Sequence, residues 1–140
     1  MVDVHRVAEF LSIPSVCPSP DPVNQYRGED GRARTAEDQP YIYRLTRLGV
    51  VAAEAGKGIE FADAVSRLIW GGTKNWQEGN LLADAAKSQG LDLQQLDQTV
   101  LDETQRLESV IEKNQADHNA DGHWGVHTCA FEGEPFFGQD

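Results

Sequence analysis

From Pro40 to Ile111, apolar residues return at three- and four-residue spacing, and the pattern then stops. Ile42, Leu45, Leu48 and Ala52 give one helical stripe, and Phe61, Ala64, Val65, Leu68 and Ile69 give a second, the cleanest in the chain. Such spacing places side chains on one face of a helix, which must be buried against other helices. The last nineteen residues, Gly122 to Asp140, follow a different rule. A glycine-punctuated approach leads to a short strand over 128–131. Glu132-Gly133-Glu134 reverses the chain, and Pro135-Phe136-Phe137 begins a return strand. That punctuation is the mark of a β-hairpin. The expected fold is therefore mainly α, about six helices closed by one terminal hairpin.

The helix limits follow from local chemistry. Val4, Val7, Ala8 and Leu11 predict a short helix over 3–12, ended by Pro14. Residues 13–38 are rich in Pro, Gly, Ser and Asp and read as a long loop with extended stretches. Pro40 suits a first helical turn, and Gly56 and Gly58 are expected to stop the helix that follows. Residues 80–89 form another helix, with Gly90 as its C-cap. Asp92 with Gln95, and Asp102 with Gln105, resemble capping boxes that start the two final helices. The expected layout is one domain: helix and loop over 1–38, a helical subdomain over 39–118, and the hairpin segment over 119–140.

Composition limits the function classes. With 12 basic and 23 acidic residues the formal net charge is −11, which argues against nucleic-acid or anionic-membrane partners. No run approaches the roughly 20 apolar residues of a membrane span, and the N-terminus carries no signal-peptide core. Cys17 and Cys129 form no Cys-x-x-Cys pair, so a reduced, cytoplasmic protein is the expectation.

Several motifs together resemble a known family. They are Ala62-Asp-Ala-Val-Ser-Arg-Leu-Ile-Trp70, Leu81-Leu-Ala-Asp-Ala-Ala86, Gly90-Leu-Asp92, Val110-Ile-Glu-Lys-Asn-Gln115 and Gly122-His-Trp-Gly-Val-His-Thr128. In order and spacing they resemble the helical insertion of DsbA-like thioredoxin-fold proteins, in the branch of 2-hydroxychromene-2-carboxylate isomerases and kappa-class glutathione transferases. Gly133-Glu-Pro-Phe-Phe-Gly-Gln-Asp140 is similar to the strand pair and turn that follow there. The resemblance covers roughly residues 39–140. It implies a helical subdomain inserted in a thioredoxin-like sheet, glutathione as cofactor, and isomerase or oxidoreductase chemistry on a small aromatic substrate.

Carried over residue by residue, the resemblance assigns glutathione contacts to Val126, Gln139 and Asp140. Val126 would pair through its backbone, while Gln139 and Asp140 would hold the γ-glutamyl amino and carboxyl groups. Trp70 and Trp76 would line the apolar substrate pocket. The family's catalytic Ser or Cys belongs to a first strand-helix-strand unit with no counterpart here, and its final helix also has none. The expectation is a truncated member without activity of its own, and no catalytic residue is assigned. The sequence also departs from the family at His127, which replaces a cis-proline. A cis bond without proline costs about 2.5–4 kcal/mol, so a trans bond is expected.

Two alternatives remain open. One is a non-catalytic helical module that self-associates through the edge of its terminal hairpin. The other is a metal-binding protein built on His118, His123, His127 and Cys129, whose spacing matches no zinc signature. Residue by residue, plainer roles are expected. Cys17 is a bystander in a Pro-rich loop, Cys129 a small buried residue, and Trp70, Trp76 and Trp124 are packing anchors. Of Phe136 and Phe137, on opposite faces of a strand, one should be buried.

Overall fold

A computed structural model describes residues 2–120, 122 and 128–137. Among these the chain is mainly helical, in the order α1 (Val2–Phe10), β1 (Gln25–Arg27), β2 (Ala33–Thr35), α2 (Ile42–Glu54), α3 (Gly58–Trp70), α4 (Leu81–Ser88), α5 (Leu93–Asp102), α6 (Thr104–Ala120), β3 (Thr128–Phe131) and β4 (Glu134–Phe137). The chain divides into two compact units, Met1–Asp102 and Glu103–Asp140.

The first unit is organised by four helices. α2 packs on α3 and α5, and α4 packs on α3 and α5, so the four contacts close a ring. Two predicted stripes contribute Leu48 and Ala52 of α2 and Phe61, Val65 and Ile69 of α3 to its core, which is completed by Val51 of α2, Leu82 and Ala86 of α4, and Leu96 and Val100 of α5. Each buried aliphatic or aromatic side chain of this size contributes about 1.5–3 kcal/mol of transfer free energy. Gly56 ends α2 with φ 71°, as its sequence position suggests. Gly58 does not stop a helix: it is the first residue of α3. A Cβ there would lie 3.0 Å from the Ala53 Cα, so the missing side chain lets α3 leave directly against the end of α2.

The caps separate two similar signals. The Asp92 carboxylate accepts the Gln94 amide at 2.8 Å and the Gln95 amide at 3.4 Å, which starts α5 as expected. Asp102 behaves differently: it is the last residue of α5, and its carboxylate accepts a hydrogen bond from the Gln98 side chain at 2.9 Å. The next helix begins at Thr104. Across the ring, Arg44 of α2 donates to both carboxylate oxygens of Asp97 of α5, at 2.8 and 2.6 Å. Hydrogen bonding to Asp97 raises the Arg44 pKa above its ordinary value, with a further Coulombic contribution from the same carboxylate. The guanidinium stays charged throughout the working pH range.

The expected loop over 13–38 contains a second hairpin. β1 and β2 pair antiparallel with Tyr26 opposite Arg34. Its strands are fully exposed, so no alternation of apolar residues announced them. Their open end is held by Gln39, the one buried polar side chain among the described residues. The Gln39 amide donates to the Asn24 carbonyl at 2.8 Å and the Ala36 carbonyl at 2.7 Å, and its oxygen accepts the Asn24 amide at 2.9 Å. One side chain thus does the work of a neighbouring strand.

Three hydrogen bonds then fix the preceding segment to the turn after α3. Val16 donates to Trp70, Asn75 to Ser19, and the Trp76 indole to the Pro20 carbonyl, each at 2.8 Å. Trp76 is 1% exposed and stands edge-on to Tyr41, with ring centroids 5.3 Å apart. α1 takes no part in the ring, and Val7, Phe10 and Leu11 at its end are exposed.

Gln39→Ala should lower stability by about 2–3 kcal/mol, since it strips partners from several backbone groups at once. Chemical denaturation measures that loss, and amide exchange should quicken at Asn24 and Ala36 while α3 is unchanged. For Arg44 and Asp97, both partly exposed, a double-mutant cycle with Arg44→Met and Asp97→Ala should return a coupling of about 0.5–1 kcal/mol.

Candidate functional site

The second unit joins α6 to the β3–β4 hairpin. α6 carries more surface charge than apolar face: Leu107 is buried, Val110 and Ile111 are half-buried, and Lys113 pairs with Asp117 one turn on. The strands pair antiparallel with Phe131 opposite Glu134, Ala130 opposite Pro135, and Cys129 opposite Phe136. Only Glu132 and Gly133 lie between them, with φ 52° and 82°. Two consecutive positive φ values define the mirror-image turn that matches the twist of a tight hairpin, and Gly is the residue that tolerates the second position best.

This register decides which backbone groups are in use. In a two-residue hairpin the flanking pair exchanges its hydrogen bonds, and bonded and non-bonded pairs alternate from there. Phe131–Glu134 and Cys129–Phe136 are then the bonded pairs. Ala130 and Pro135 form a non-bonded pair, so their backbone groups point away from the partner strand. Pro135 has no N–H to present, and it blunts the outer edge of β4 in the way edge strands commonly are blunted. The outer edge of β3 has no such block. It presents the backbone N–H and C=O of Ala130 and Thr128, and among the described residues β3 has no second neighbour.

One face of the hairpin carries Cys129, Phe131, Glu134 and Phe136. Phe131 is 67% exposed and Phe136 44%. Cys129 is also exposed, which corrects the expectation of a buried residue. The alternation of the strand is real, but no described element covers this face. Of the Phe136–Phe137 pair, the Phe137 side chain lies outside the described residues.

Few of the other sequence-derived candidates lie among the described residues. Val126, Gln139 and Asp140, together with His123, His127 and Trp124, lie outside the described residues. Trp76 is buried and fully engaged, whereas Trp70 is 44% exposed at the end of α3. Cys17 is exposed, and His118 lies near the end of α6. Among the described residues no group of three or more His, Cys, Asp or Glu side chains is placed to hold a metal ion. No helix is long and apolar enough to cross a membrane, among the same residues.

One recess was not legible in the sequence. It is a shallow, open cleft of about 410 Å³, lined by Pro20, Asp21, Val23, Asn24, Gln25, Pro40 and Tyr41. It forms where the Gln39 clamp folds the loop back, and residues far apart in sequence meet there. The Asp21 carboxylate at its rim is already accepting the Val23 amide at 2.9 Å. Comparison with protein-family models, curated proteins and solved structures finds no match to this chain.

The hairpin depends on its turn. Gly133→Ala forces a side chain into left-handed backbone and should cost the hairpin about 1–2 kcal/mol. NMR should show the Cys129–Phe136 cross-strand contacts fading while α2–α5 resonances hold.

Proposed function

We propose that this chain is a non-catalytic helical module that binds an extended protein segment by strand addition at the outer edge of β3. One observation carries the reading. Of the hairpin's two outer edges, that of β4 lacks the Pro135 donor, while among the described residues that of β3 has neither a partner nor a proline. A two-stranded hairpin is marginal in water and gains stability from a third strand. The exposed Phe131 and Phe136 give an incoming strand apolar side chains to lie beside. The absence of Lys, Arg, Asp and Glu from β3 favours an uncharged segment.

A test uses an acetylated, amidated Thr-Val repeat peptide as the incoming strand. Its addition should slow hydrogen exchange at the Ala130 amide and leave that of Phe131, which already faces β4, unaltered. In Ala130→Pro the peptide should no longer slow exchange at the Thr128 amide, the other outward donor of β3. An Ala130 amide indifferent to the peptide would remove the reading.

A second reading takes the chain as the helical insertion and strand pair of a DsbA-like protein of the 2-hydroxychromene-2-carboxylate isomerase branch, with glutathione-dependent isomerase or oxidoreductase chemistry and no turnover by this chain alone. The observation in its favour is order: α3, α4, the start of α5, α6 and then β3–β4 carry the quoted motifs in sequence. Titration with glutathione separates the two readings. Shifts confined to Val126, Gln139 and Asp140 would support the second, and no binding at millimolar glutathione would remove it.

A further inference from the structure

We infer that the segment added at β3 is β3 of a second copy of this chain, paired antiparallel about a two-fold axis that passes through Cys129. The inference rests on the strand-addition reading above and names its partner. The backbone register sets the geometry. The outward groups of β3 belong to Thr128 and Ala130, two residues apart. An antiparallel copy can bond Thr128 to Ala130 of the mate and Ala130 to Thr128 of the mate. That arrangement uses all four outward-facing donors and acceptors of each strand. Shifting the mate by two residues leaves Ala130 facing itself and sends Thr128 against the turn, which halves the bonds available within the strand. The favoured register therefore sets Cys129 directly opposite its own copy as a non-bonded pair, with Cα atoms about 4.5 Å apart.

Charge selects the orientation. The chain has a net charge of −11, and its hairpin turn adds Glu132 beside Glu134. Parallel pairing would bring two such turns side by side, where like charges oppose association. In the antiparallel register each Glu132 lies three residues from the axis, so the two are about 20 Å apart at 3.4 Å per residue. That exceeds the screening length of about 8 Å at physiological ionic strength. Between the turns the paired strands are free of Lys, Arg, Asp and Glu. Pro135 then bears on the stoichiometry. The outer edge of β4 lacks the Pro135 donor, so pairing through the two β3 edges is favoured over growth through β4 into a fibre. The product is a four-stranded sheet with Phe136, Cys129, Cys129 of the mate and Phe136 of the mate in one row across one face.

The full chain tests this. Light scattering over a concentration series should show the mass rise from 15.5 kDa toward twice that value. Cys129→Glu and Cys129→Lys should each remain monomeric, because like charges meet on the axis. An equimolar mixture of the two should recover the dimer, and mass spectrometry should find one copy of each. Recovery in the mixture shows that neither variant is merely misfolded. Diamide should link Cys17→Ser chains through Cys129: the two thiols lose two protons and two electrons, which reduce diamide to its hydrazine, and one S–S bond forms.

A dimer that survives either single charge, or a mixture that stays monomeric, overturns the two-fold pairing through Cys129. A strict monomer whose Ala130 amide is still protected by the Thr-Val peptide overturns the second copy and leaves strand addition standing. A strict monomer indifferent to that peptide overturns both.

Discussion

The first unit turns on a buried indole that must find an acceptor. Trp76 lies outside any helix, in the turn between α3 and α4, and is almost wholly enclosed. An enclosed N–H without a partner costs about 1–3 kcal/mol. The Pro20 carbonyl meets that demand, and Tyr41 closes on the ring from the other side. The consequences run in both directions along the chain. Pro20 fixes the segment before β1, and Tyr41 stands just ahead of α2. The stretch from Pro20 to Tyr41 is thereby held at both ends by one side chain in the middle of the sequence. Gln39 holds it between those points, and the β1–β2 hairpin is what that confinement leaves.

The helices and the loop were legible to different degrees for the same reason. A helix advertises its buried face through local spacing, and the stripes on α2 and α3 supply Leu48, Ala52, Phe61, Val65 and Ile69 to the ring. The β1–β2 hairpin has no buried face, so nothing periodic marks it. Its stability comes from Gln39 and from Trp76, contacts over 15 and 56 residues that no local rule encodes. Asp92 and Asp102 make the limit sharper. Both precede a Gln by three residues, yet one caps a helix and the other ends one. The capping-box pattern records what a carboxylate can do, and the break between α5 and α6 at Glu103 decides which of the two does it.

The β3–β4 hairpin was legible in outline from the glycine between two strand-forming runs, but the expected turn took in Glu134, whereas β4 begins at Glu134 and the turn is Glu132-Gly133 alone. Its exposure was not. Alternation along β3 says that Cys129 and Phe131 share a face, but whether that face is covered depends on elements elsewhere in the chain. An expectation of burial for Cys129 assumed such a cover. The same argument separates what the resemblance to DsbA-like proteins can carry from what it cannot. Its motifs fall mostly on α3–α6 and β3–β4, where helical and hairpin rules already account for the residue types. Val126, Gln139 and Asp140, the positions with specific chemistry, lie outside the described residues.

Pro135 gives the strongest link between a single residue and an assembly property. A proline in a return strand is usually read as a weak point, since it removes one ladder hydrogen bond. Here the parity of the register changes its meaning. One position earlier or later, at Glu134 or Phe136, the missing N–H would have been an internal one, and the hairpin itself would have suffered. At 135 the loss falls on the outer edge, where it costs the hairpin nothing and denies a neighbouring chain its donor. The asymmetry between β3 and β4 is then a consequence of counting residues from the turn. The Glu132-Gly133 turn fixes that count, so turn chemistry and edge protection are parts of one arrangement.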